Sequence, residues 1–125
     1  MRVNEVMNKV IAIDHDVSLK EASKIMSNRN IGCLIVLKKN KVVGIITERD
    51  VLKNISSLGR KISGAMSKGV ITIDHDESLD NAALVMTEKK IKRLPVMDKE
   101  KLVGIITATD IVANSDLLNE DFFFD

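Results

Sequence analysis

The sequence predicts an α/β fold of the α+β kind, built from two tandem β-α-β-β-α units with helices on one face of each small sheet. Three observations predict it. The chain repeats itself: residues 13–52, IDHDVSLKEASKIMSNRNIGCLIVLKKNKVVGIITERDVL, align without gaps to residues 73–112, IDHDESLDNAALVMTEKKIKRLPVMDKEKLVGIITATDIV, with 19 identities in 40 positions. Upstream, Val6-Met7-Asn8-Lys9 matches Ala65-Met66-Ser67-Lys68, which leaves Gly69 as an inserted residue. Each repeat also alternates its period, with short β-branched runs flanking a stretch whose apolar residues recur at helical spacing. Finally, 45% hydrophobic and 30% charged residues in a chain of 125 is a globular composition. A unit of about 60 residues buries only about 60% of its unfolded surface, so the two units are expected to share one core.

The elements follow in order. Val3, Val6 and Met7 stand at i, i+3 and i+4, which predicts a short helix. Residues 10–13 read as a strand and Asp14-His15-Asp16 as the turn after it. Ser18 opens a helix and reads with Glu21 as a capping box. Leu19, Ala22, Ile25 and Met26 form its apolar stripe. Residues 33–37 are a buried strand, 38–41 a polar hairpin turn and 42–47 a third strand. Residues 48–55 are a second helix, expected to carry Val51, Leu52 and Ile55 inward. The second unit repeats the order: helix 61–66, strand 70–73, helix 78–89, strands 94–97 and 102–107, helix 108–114. Residues 56–60, SSLGR, are the linker, so the domains are expected at 1–58 and 61–115, with an acidic, Phe-bearing tail at 116–125.

Composition narrows the function. The 19 Lys+Arg against 18 Asp+Glu leave a net charge of +1, which argues against a dedicated nucleic-acid binder. The halves differ: residues 1–60 carry 11 basic and 6 acidic side chains, residues 61–125 carry 8 and 12. This is either drift of two solvated faces or charge complementarity between halves of a dimer. No apolar run approaches the roughly 20 residues that cross a bilayer, and the N-terminus lacks a secretory apolar core, so a cytoplasmic protein without a membrane partner is expected. One cysteine, Cys33, excludes an internal disulfide framework and reads as a buried small residue. Trp and Tyr are absent, which removes a stacking platform for single strands. Asp14-His15-Asp16 and Asp74-His75-Asp76 have metal-ligand chemistry but read as polar turns, and no metal is assigned. Met7, Met26, Met66 and Met86 repeat in register and fit a core. The three Phe of the tail are either a frayed end or a docking cluster.

Thr47 and Thr107 stand where a strand turns into a helix, and Asp50 and Asp110 follow three residues later. A helix start favours phosphate, a Thr hydroxyl can add a donor, and a carboxylate can accept both hydroxyls of a ribose diol. The same T-x-x-D spacing is a capping-box variant that needs no ligand, and both roles can coexist. Gly44 and Gly104 would let a ligand or another backbone approach closely.

The stretches IKRLPVMD and LVGIITATDIV in unit two, and VVGIITERDVL in unit one, resemble the CBS domain. Two in tandem resemble the CBS pair, or Bateman module, over nearly the whole chain. The resemblance implies pseudo-two-fold packing of the units and a regulatory module that binds AMP, ADP or ATP, or S-adenosylmethionine, and forms a disk-like homodimer. It implies a stand-alone sensor that acts on a separate, unidentified protein partner, with the adenine nucleotide as regulatory ligand and no required cofactor. A head-to-tail dimer is favoured over head-to-head by the charge asymmetry. A ligand-free structural adaptor is the alternative. An enzyme would need an acid/base pair or nucleophile, and only Asp, Thr and two turn histidines are on offer. Nucleic-acid binding through the basic first half would betray itself by steep salt dependence.

The resemblance also implies sites shared between units. Thr107, Thr109 and Asp110, with Ile105, would face Ala22, Ile31 and Gly32. Thr47, Arg49 and Asp50 would face Ala82, Ile91, Lys92 and Pro95, with Arg93 close by. Lys92 and Arg93 either meet phosphate or form a solvated pair. Unit one departs from the pattern, with Gly32-Cys33 in place of Lys92-Arg93 and Ile35 in place of Pro95. The sites are therefore expected to be unequal, the one with Thr47 and Asp50 tighter for phosphate-rich ligands. Sites built within single units would reverse that order.

Overall fold

The computed structural model describes residues 1–115; the tail and its Phe cluster lie outside the described residues. The chain forms two compact units, one of Val10–Val70 and one of Met1–Lys9 with Ile71 onward. In the first unit β1 (Ala12–Asp14) runs parallel to β2 (Cys33–Lys38), which pairs antiparallel with β3 (Lys41–Thr47). Helix α1 (Leu19–Arg29) makes the parallel crossover and α2 (Glu48–Lys53) follows β3. The second unit repeats this with β4 (Ile73–Asp74), α3 (Leu79–Lys89), β5 (Arg93–Asp98), β6 (Lys101–Thr107) and α4 (Ala108–Ala113). The β-α-β-β-α order is the one expected.

Local chemistry explains the element ends. Ser18 stays extended and its Oγ accepts the Glu21 N–H at 3.1 Å, but the Glu21 side chain returns no bond, so the expected box is half made. Ser78 caps α3 in the same way through the Asn81 N–H at 3.0 Å. Helix α1 ends at Asn30, whose φ of 54° is a left-handed conformation that Asn tolerates. The β2–β3 hairpin turns on Lys39 and Asn40, both with positive φ, the handedness that matches strand twist.

The buried residues form two clusters, one per unit, where one shared core was expected. Leu19, Ala22, Met26, Leu34, Val36, Ile46 and Ile62 fill the first. Leu79, Ala82, Met86, Leu94, Val96 and Ile106 fill the second, together with Val3. Val3 belongs there because the segment ahead of each repeat packs with the other repeat. Asn8 pairs with Ile105 of β6 through backbone bonds of 2.8 and 3.0 Å, and Ser67 pairs with Ile45 of β3 at 2.9 and 3.0 Å. These bonds satisfy backbone groups on an otherwise open strand edge. They also explain two glycines. A Cβ on Gly104 would lie 2.7 Å from Met7 Sδ and 3.0 Å from the Asn8 carbonyl, and one on Gly44 would collide with Met66. The close approach is made by backbone and methionine. The predicted helices at 3–7 and 61–66 shrink to the single turns Val3–Glu5 and Ile62–Gly64.

Three further expectations change. The first strand of each repeat sits later than read, because its pairing partners are Ile35–Leu37 and Val96–Met97. Leu52 points outward, 69% exposed, since a six-residue helix can turn only one side to its sheet and Val51 takes that side; Ile55 lies past the end of α2 in the single turn Ile55–Ser57 and is 62% exposed. The linker is also built in: Leu58 packs on the first core, and the Arg60 guanidinium donates to Asn54 Oδ1 at 2.8 Å and to the Gly64 carbonyl at 2.7 Å.

Candidate functional site

The T-x-x-D motif closes into a capping box in both units. In the first, the Thr47 N–H and Oγ1 donate to Asp50 Oδ2 at 2.8 and 3.0 Å, and the Asp50 N–H donates back to Thr47 Oγ1 at 3.4 Å. In the second, Thr107 donates to Asp110 Oδ2 at 2.9 and 2.8 Å and receives the Asp110 N–H at 3.3 Å. The hydroxyl proton of each Thr is thus already engaged by its Asp. Among the described residues, Oδ1 of each carboxylate accepts no bond. Both aspartates are half-buried, so this second oxygen is the acceptor each site can offer.

The strand ladder sets the neighbours. Thr107 lies opposite Arg93, and the Ala108 N–H donates to the Lys92 carbonyl at 2.9 Å. Thr47 lies opposite Cys33, and the Glu48 N–H donates to the Gly32 carbonyl at 3.1 Å. Within the second unit, then, Thr107, Asp110, Lys92 and Arg93 come together, with both cations exposed. Within the first unit Gly32 and Cys33 take those places beside Thr47 and Asp50. Arg49 and Thr109 are exposed on the first turns of α2 and α4. Ile31 and Ile91 pack against the edge of their own cores. Ala22, Ala82 and Pro95 are fully buried and Ile105 nearly so, which makes them core side chains within their units.

One residue escaped the sequence reading. Asn8 donates its Nδ2 to Asp110 Oδ2 at 2.7 Å. The signal was present in the repeat alignment, where Asn8 stands against Ser67, a residue with no side-chain amide to donate.

The Asp-His-Asp segments are turns. Asp74 Oδ2 accepts the Asp76 N–H at 3.0 Å, and His75 lies between Asn4 (3.3 Å) and Asp98 (3.4 Å). Asp74, His75 and Asp76 do offer ligand atoms within 4.8 Å of one another, from two exposed carboxylates and a half-buried imidazole. In the first unit, the Asp14 carboxyl is held below its ordinary value, chiefly by a hydrogen bond with the Asp16 side chain, with the Asp16 N–H and nearby His15 acting in the same direction. On the helical face of the first unit a shallow groove of about 390 Å³ runs between α1 and α2, lined by Met26, Asn30, Ile31, Glu48, Val51 and Leu52 among others. No helix among the described residues is long and apolar enough to cross a membrane.

Relatives place this geometry. The CBS domain family matches residues 3–57 and again 60–116. MJ1232 of Methanocaldococcus jannaschii is 33% identical over 90% of this chain and 38% of its own length. The L-aspartate semialdehyde sulfurtransferase of the same organism is 37% identical over 87% of this chain and 22% of its own length. The chain thus spans well under two thirds of these two relatives. Among solved structures, the CBS domain pair of protein MJ0100, in complex with 5′-methylthioadenosine and S-adenosyl-L-methionine, superposes with a TM-score of 0.81 at 34% identity, covering 90% of this chain and 94% of that one. Two family matches in tandem, two repeated sheets and the matched capping boxes lead to one assignment: the chain belongs to the CBS domain family and carries two CBS domains in succession.

Proposed function

We propose that this chain is a regulatory module that binds adenosine compounds and transmits their presence to a protein partner. The observation that carries the reading is the repeated carboxylate: Asp50 and Asp110 each commit Oδ2 to a Thr and keep Oδ1 for an incoming donor. A ribose diol supplies such donors. Both ligands of the MJ0100 pair contain adenosine, which supports this class over others. The nucleotides AMP, ADP and ATP are the first candidates, because Lys92 and Arg93 stand exposed beside one box and attract phosphate. S-adenosylmethionine is the second. The side chains around each box offer a hydrogen-bond acceptor and cations, a set suited to holding a ligand. The competing reading is a structural adaptor with empty sites, favoured by the fact that the boxes cap α2 and α4 without help.

A homodimer through the helical faces belongs to the same proposal. Leu52 and Ile55 on one unit and Leu84 and Val112 on the other are half or more exposed, apolar, and on or beside helices. Such surface is costly to leave in water.

Calorimetric titration of the full chain with AMP and with S-adenosylmethionine tests the ligand. Asp110→Ala and Asp50→Ala each remove one charged acceptor, and each is expected to weaken one binding phase about 10- to 100-fold. At two salt concentrations, the variant that loses the salt-sensitive phase identifies the carboxylate that shares its ligand with the cations. Equal affinity of wild type and both variants would overturn the ribose role.

A further inference from the structure

We propose that Asn8 is a positioning residue for Asp110, and that it makes the two carboxylates unequal receivers of a ribose. The ligand in this inference rests on the adenosine reading above; the geometry rests on the second unit alone. Asp110 Oδ2 accepts three donors, the Thr107 N–H, the Thr107 hydroxyl and the Asn8 amide, at 2.9, 2.8 and 2.7 Å. Asp50 Oδ2 accepts only the first two among the described residues, at 2.8 and 3.0 Å. The homologous position of the first unit is Ser67, whose backbone makes the same bridge to β3 and whose side chain makes no such bond.

Asn8 is itself held firmly. Its N–H and carbonyl are both bonded to Ile105, and Met7 beside it fills the space left by Gly104. The amide therefore reaches Asp110 from a fixed backbone. A carboxylate with one oxygen held by three donors has little freedom to rotate, so its other oxygen keeps one direction. Pre-set acceptors discriminate more sharply, because a ligand that lacks the matching hydroxyl leaves the half-buried acceptor unpaired without relief by rotation. The Asp110 carboxylate should then separate ribose from deoxyribose more strictly than the Asp50 carboxylate does. The segment ahead of the first repeat becomes part of the ligand chemistry of the second.

The test uses the full chain labelled with ¹⁵N. The Asn8 side-chain amide resonances are expected to move in Asp110→Ala and to stay in Asp50→Ala; resonances that ignore Asp110→Ala overturn the proposal. Nucleoside selectivity is then read in the Asp50→Ala background, where one carboxylate remains. There, Asn8→Ser is expected to lower the adenosine to 2′-deoxyadenosine affinity ratio about 3- to 10-fold. In the Asp110→Ala background, Ser67→Asn is expected to raise that ratio at Asp50. An unchanged ratio in Asn8→Ser overturns the positioning role. Failure of the wild type to bind AMP, S-adenosylmethionine or either nucleoside removes the adenosine reading, and the amide resonances still decide whether Asn8 holds the carboxylate.

Discussion

At Gly104 and Gly44 single atoms decide the packing. The backbone bridge to Asn8 and the Met7 side chain fill the place where a Gly104 Cβ would stand. Gly104→Ala is therefore expected to destabilise by about 1–3 kcal/mol, because a backbone carbonyl must yield along with a side chain. Gly59→Ala is the control: nothing lies within 4 Å of its added carbon, and the expected change is within about 0.5 kcal/mol. Urea unfolding of the two variants compares them directly. The other residue-scale prediction concerns acid. The Asp14 carboxyl is lowered in the folded chain, mainly by its hydrogen bond with Asp16. A depressed carboxyl stabilises the fold above its unfolded value, and the contribution is lost as pH falls through the folded value. Asp14→Asn should flatten the acid limb of a stability-against-pH curve and leave its shape near neutrality unchanged. An acid limb identical to wild type would contradict this.

Pro95 shows how one residue sets the length of an element. In the first unit Ile35 donates its N–H to the Ile11 carbonyl at 3.1 Å, and β1 runs for three residues. Pro95 holds the same place on β5 without an N–H to donate, and β4 runs for two. Pro95→Ile should restore the bond and lengthen β4, read as a protected amide at position 95 in hydrogen exchange. The gain of about 0.5–1.5 kcal/mol from the bond is set against about 0.4–1 kcal/mol lost with the stiffer unfolded chain. Net stability should therefore barely move, and an unprotected amide would contradict the account. Periodicity made most elements legible: α1 opens at Ser18 as expected, and α3 and the hairpins β2–β3 and β5–β6 lie within a residue or two of their expected ends. The first strands were misplaced because strands of two or three residues carry too little alternation to fix a register. The outward turn of Leu52 was hidden because apolar residues on a short helix look alike whether they face a sheet or water, and Ile55 lies beyond the end of that helix. The capping boxes were legible from T-x-x-D. Asn8 was not singled out, because its partner Asp110 lies 102 residues away and belongs to the other repeat.

At the scale of the whole molecule, the exposed helical leucines define the expected assembly. A dimer would sediment at twice 13.9 kDa. Each Leu buried at an interface contributes about 1.5–3 kcal/mol, so replacing Leu52 and Leu84 together with Asp should give monomer at micromolar concentration. A wild type that remains near 13.9 kDa on sedimentation would remove the dimer. Composition also makes the central claim easy to measure. With no Trp or Tyr, the chain contributes almost nothing to absorbance at 260 nm, where adenine absorbs strongly. Equilibrium dialysis against adenosine compounds, read at 260 nm, then reports binding without a label. The account predicts saturable uptake of AMP or S-adenosylmethionine by the wild type, and its loss when Asp50 and Asp110 are both replaced by Ala. No saturable uptake by the wild type, or equal uptake by the double variant, would contradict it.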